Sequence, residues 1–131
     1  MADPLDKLMA ADEDVSREML AGILQKWIKI DPKTGSVIPL EGWYTLKTRQ
    51  SIFLFLLGRK AAALKGILEA EGAGPKAIAD ATGLAKGTVN PSLRHLAKER
   101  LLAQDKDGKY YVPPYAIGRV KDAISGGKNA G

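Results

Sequence analysis

Between Lys86 and Arg100 the chain reads KGTVNPSLRHLAKER. At helical spacing Val89, Leu93 and Leu96 fall on one stripe. Thr88, Asn90, Pro91, Arg94, His95 and Lys98 fall on the opposite one. The second set can do one kind of chemistry well. An arginine reads guanine with a forked pair of hydrogen bonds, and an asparagine reads adenine. Hydroxyls, lysines and a histidine hold phosphates. Asn90, Arg94 and Lys86 are therefore the candidates for base contact. Thr88, Ser92, His95 and Lys98 are candidates for the phosphates, joined by Lys76 from the preceding helix and by Lys106 and Lys109 further on. Duplex DNA is the expected partner.

Other chemistries find no support. There is one histidine and no cysteine, so a zinc site is not expected. Asp105 and Asp107 flank a glycine but lack the length and the later glutamate of a calcium loop, so a turn role is expected. No carboxylate pair, nucleophile–histidine pair or phosphate-cradling glycine loop is visible. No enzymatic activity and no cofactor are expected.

Several elements must position these residues. Asp3-Pro4 can open a first helix, with Leu5, Leu8 and Met9 at helical spacing. Val15, Met19, Leu20, Ile23, Leu24, Trp27 and Ile28 predict an amphipathic helix from about 14 to 30. Asp31-Pro32-Lys33-Thr34-Gly35 is a turn, followed by a brief strand at Val37-Ile38. Thr45 or Thr48 can cap the next helix. Its start is apolar all round and belongs in the core or in a subunit interface. Gly58 can interrupt it, and Ala61 to Glu71 continues it to a stop at Gly72-Ala73-Gly74. Short and long helices follow, Pro75–Ala81 and 86–100, joined by a turn at Gly83. Leu101–Gln104 and Tyr110–Val112 then form a hairpin around Asp105-Lys106-Asp107-Gly108. Tyr115 to Ile124 closes the chain as a helix, with SGGKNAG as a tail.

Pro91 bears on where the long helix begins. A proline inside a helix costs roughly 3 kcal/mol, but the first helical N–H groups have no intrahelical partner to lose. A start at Gly87 or Thr88, with Thr88 as cap, leaves Pro91 harmless in the first turn.

The order helix, short helix, turn, helix, strand, turn, strand resembles the winged helix-turn-helix family. The resemblance covers about residues 60–113 and rests on Ala79, Gly83, Val89 and the Asp105–Lys109 hairpin. Ala79 is small where the next helix crosses close, and Gly83 permits a positive φ. The resemblance implies a mainly α fold with a small β-hairpin and extra N-terminal helices. It implies helix 86–100 in a major groove and hairpin 101–112 as the wing. The division expected is an N-terminal helical extension over 1–58, the winged domain over 59–113, and a C-terminal helix and tail over 114–131. A transcription regulator or architectural DNA binder is the function implied. Two other classes use the same fold. A protein-interaction adaptor in a transcription, replication or ribosome-associated assembly would show an apolar exposed face and no duplex affinity. An RNA-binding module would prefer single strands or folded RNA.

Charge supports a polyanionic partner. The net charge is +5 and the pI about 9.5. Residues 1–20 carry six acids and two bases, which leaves nine acids and eighteen bases in the rest of the chain. The body is thus markedly basic. Lys47, Arg49, Arg59, Lys60 and Lys65 read as a solvated face that can extend the phosphate-binding surface. Trp43-Tyr44 reads as core packing, and of Tyr110 and Tyr111 one is expected in the core and the other nearer DNA. The first residues are acidic and not apolar, so no secretory signal is expected. No apolar run is long enough for a membrane helix, and a cytoplasmic protein is expected. The stripe Val15, Met19, Ile23, Trp27 and the apolar run Ile52–Leu57 mark the N-terminal half as the place for a homodimer contact.

Overall fold

The computed structural model describes residues 17–125. The expected helix at Asp3–Met9 and the tail beyond Ser125 lie outside them. The elements are α1 (Arg17–Leu24), β1 (Ile28–Ile30), β2 (Val37–Pro39), α2 (Thr48–Leu64), α3 (Pro75–Thr82), α4 (Lys86–Lys98), β3 (Ala103–Gln104), β4 (Tyr110–Tyr111) and α5 (Ile117–Ser125). Short 3-10 turns at Glu41–Thr45 and Pro114–Ala116 precede α2 and α5.

α2 is the axis of the fold. Ile52, Phe53, Leu54, Leu56 and Leu57 are fully buried, so the apolar run is core. Around it one continuous cluster joins Leu20 and Leu24 of α1, Ile78 of α3, Val89, Leu93 and Leu96 of α4, Val112, and Val120 and Ile124 of α5. Gln50 ties the start of α2 to α5. Its side-chain oxygen accepts the Lys47 N–H at 2.9 Å, and its amide donates to the carbonyls of Ala123 and Ile124, both at 3.2 Å. Lys47 is thus the N-cap residue of α2, and Gln50 does the capping expected of Thr45 or Thr48.

The long helix expected over 14–30 stops at Leu24. Ile28–Ile30 instead pairs antiparallel with Val37–Pro39, Lys29 facing Ile38. Asp31 makes the turn between them: its Oδ1 accepts the N–H of Lys33 at 2.8 Å and of Thr34 at 3.3 Å. The β-branched Ile28 and Ile30 suit a strand, and the helical spacing of Trp27 and Ile28 is equally met by a turn followed by a strand. The brief strand at Val37-Ile38 is present, extended to Pro39.

Gly58 does not interrupt α2. It makes room: a Cβ there would lie 2.7 Å from Val37 Cγ2 and 2.8 Å from Ile28 Cδ1. The helix ends at Leu64, well before Glu71. Gly66 takes a positive φ of 77°, and the Ile67 N–H turns back to the Ala62 carbonyl at 2.9 Å, which closes the helix.

Candidate nucleic-acid interface

α3 and α4 are set by local chemistry. Pro75 follows Gly74 at the start of α3, where a missing N–H costs nothing. Gly83 ends α3 with φ 78° and gives its N–H to Ala79. Ala79 is buried, as the close crossing of α4 requires. α4 then turns Val89, Leu93 and Leu96 inward, all at most 1% exposed. Lys86, Gly87, Thr88, Asn90, Pro91, Arg94, His95 and Lys98 are exposed, and Ser92 is half-buried.

α4 begins at the lower bound of the range 86–100, ahead of the start at Gly87 or Thr88 that would leave Pro91 in the first turn. Its first helical residue is Lys86, and Ala85 is the N-cap residue without a side-chain cap. The Ala85 carbonyl accepts the N–H of Thr88 at 2.9 Å and of Val89 at 3.0 Å. Thr88 is therefore inside the helix and caps nothing. Pro91 lies in the second turn, where it withholds a hydrogen bond from the Gly87 carbonyl. Leu84 supplies the early anchor: it packs against the core, and its N–H reaches the Thr82 hydroxyl at 3.4 Å. The turn is thus complete by Ala85. Ser92 donates its hydroxyl to the Thr88 carbonyl at 2.9 Å, beside the proline.

Some candidate side chains already have partners. Lys76 pairs with Asp80 at 3.3 Å, and His95 Nε2 lies 3.0 Å from Glu99 Oε2. Glu99 also takes Arg49 at 3.2 Å. α4 stops at Lys98, and Arg100 beyond it takes a positive φ of 63°.

The hairpin is short. Ala103 faces Tyr111 and Gln104 faces Tyr110. Asp105 closes the tip: its Oδ1 accepts the N–H of Asp107 at 2.8 Å and of Lys109 at 3.0 Å. That is the turn role expected of it. Lys106 and Lys109 are exposed at this tip. Tyr110 is buried and Tyr111 half-buried. Ala73, from the connection between α2 and α3, bridges to Tyr110 by two backbone bonds of 3.0 and 2.9 Å. A third, rudimentary strand thus ties the hairpin to the helices.

Two basic residues expected on a solvated face turn inward. Lys60 is 3% exposed and pairs with Glu71. Arg59 donates to the carbonyls of Glu71 at 2.8 Å and Gly72 at 3.1 Å. Burial lowers the pKa of Arg59, with the Glu71 charge opposing. Helical phase hides this because α2 is covered on nearly every side. Lys47 and Arg49 stay nearer the surface. With Thr48 they border a shallow recess whose other wall is Ser92, His95 and Leu96 of α4. The sequence offers no sign that the start of α2 meets α4, since the residues are more than forty positions apart. Of the aromatic pair, Trp43 is core, while Tyr44 is 81% exposed.

Two helices joined by a glycine turn, followed by a lysine-tipped hairpin bridged back to the first connection, make a winged helix-turn-helix DNA-binding domain. The family model of the IclR helix-turn-helix domain matches residues 59–106, and this match supports a DNA-binding transcription regulator. No characterised protein and no solved structure gives a significant match to the chain. Among the described residues no helix is long and apolar enough to cross a membrane.

Proposed function

We propose that this protein is a non-enzymatic transcription regulator that lays α4 in the major groove of duplex DNA and rests its hairpin on the flanking phosphates. The observation that carries this reading is the exposed polar and basic face of α4, next in the chain to a tip bearing Lys106 and Lys109. In this reading Asn90, Arg94 and Lys86 contact base edges. Thr88, Ser92, His95, Lys98, Lys106 and Lys109 hold phosphates, and Lys76 does so by exchanging Asp80 for a phosphate oxygen. Lys47 and Arg49 extend the same phosphate track.

The test is a salt titration of binding to random duplex DNA, single strands and structured RNA. Duplex affinity should fall with a log–log slope of about −0.9 per phosphate contacted. Absence of duplex binding at about 50 mM salt, where phosphate contacts are little screened, would defeat the reading. Stronger binding to RNA or single strands would replace it with an RNA-binding role.

The same reading calls for a second copy, because one recognition helix covers one half-site. Met19, Ile23 and Trp27 line a groove with Ile124 of α5, and that groove is where we place the dimer contact. Ile52–Leu57 is spent on the core and takes no part. Light scattering of the folded protein at about 100 μM, well above the Kd of a stable dimer, decides this. A monomer there counts against a stable dimer without DNA.

A further inference from the structure

We propose that Lys60 is a positioning residue for the wing, and that it sets DNA affinity without touching DNA. This rests on the wing reading above. Lys60 is 3% exposed, so its charge cannot meet a phosphate. Its ammonium lies 2.8 and 2.9 Å from the two carboxylate oxygens of Glu71, and 5.9 Å from the ring centre of Tyr111. One side chain of α2 thus touches both the α2–α3 connection and the returning strand of the hairpin.

Arg59 completes the clamp. Its guanidinium donates to Glu71 and Gly72 carbonyls, and to that of Ala70 at 3.4 Å. The next residue, Ala73, carries the bridge to Tyr110. Gly72 lies so close to the hairpin that a Cβ would stand 2.6 Å from Asp105 Oδ2 and 2.9 Å from Lys109 Cβ. The chain of contact therefore runs from α2 through residues 70–73 to the base of the tip that carries Lys106 and Lys109. The hairpin itself has only two paired residues on each strand, too few to hold a fixed angle alone. A buried ion pair is weak evidence for stability, but it can enforce one arrangement among several. Here the arrangement enforced is the distance from the wing tip to α4.

The experiment measures duplex affinity against salt for Lys60→Met, alone and together with Lys106→Ala and Lys109→Ala. A melt reports folding. Because Lys60→Met leaves the half-buried Glu71 without its ammonium partner, Lys60→Met with Glu71→Gln is the second variant. The expected result is a folded protein with affinity reduced about tenfold and a slope flatter by up to about two, the loss of two phosphate contacts. In the background lacking both wing lysines, the Lys60 change should cost nothing more. Equal losses in both backgrounds would make Lys60 a general structural residue and overturn the proposal. So would an unchanged affinity in every Lys60 variant. If the two lysine replacements alone leave affinity unaltered, the wing reading itself fails and takes this proposal with it.

Discussion

Pro91 stands four residues after Gly87 in α4, so the Gly87 carbonyl receives no N–H from the position that would normally supply one. The ring also crowds that carbonyl. Gly87 has open space where a Cβ would be, which lets the turn adjust. Replacing Pro91 by Ala should restore the bond and stabilise the protein by about 2–3 kcal/mol. The full interior penalty is about 3 kcal/mol, less up to about 1 kcal/mol because proline restricts the unfolded chain. Denaturant melts measure this. A loss of stability would mean that the proline is accommodated at no cost.

Gly58 should resist replacement although it sits mid-helix. Alanine is favoured over glycine there by about 1 kcal/mol in intrinsic propensity. Its methyl group would meet Val37 and Ile28 at less than 3 Å. Overpacking of this kind costs about 1–3 kcal/mol. Gly58→Ala should therefore lower stability by up to about 2 kcal/mol, and paired Val37→Ala should recover part of it. Thermal melts of the single and double variants check both statements.

Arg94 is exposed in the middle of the outer face of α4. If it reads a base, Arg94→Ala should cost about 1–3 kcal/mol on a cognate site and relax preference at one position. Selection of binding sites from random duplexes supplies the cognate site, and competition binding measures the loss. A uniform loss on all sequences would make Arg94 a phosphate contact.

The Asp31 turn should respond to acid. Backbone N–H bonds from Lys33 and Thr34 hold the Asp31 carboxyl below the usual carboxylate pKa. The native state thus favours the charged form. The stabilisation is fully present above the unfolded value, about 4, and is lost as pH falls through the lower folded value. Amide exchange at Lys33 and Thr34 should rise below about pH 4, and Asp31→Asn should remove that dependence. Exchange that does not change with pH, after correction for intrinsic rates, would show that the turn does not depend on the charge.

Much of the domain is local, and the sequence by itself determined it. Gly83 needs a positive φ, Asp105 closes a two-stranded tip, and Val89, Leu93 and Leu96 share one helical face. Each follows from steric or hydrogen-bonding preferences within a few residues. From these the winged arrangement and the outward set Asn90, Arg94, His95 and Lys98 could be read. What the sequence left open was settled by contacts between distant segments. Ile28–Ile30 satisfies a helical pattern as well as a strand; pairing with Val37–Pro39 chose the strand. Thr88 looked like a cap, but Leu84 packing on the core completed the turn early and put Pro91 in the second turn. Lys60 and Arg59 looked solvated until residues 70–72 folded over them. Helical periodicity reports which residues share a face, not what will cover it. Only the tertiary structure brings Lys60 to Glu71 and Tyr111, because burying a charge is affordable only where a distant partner arrives to meet it.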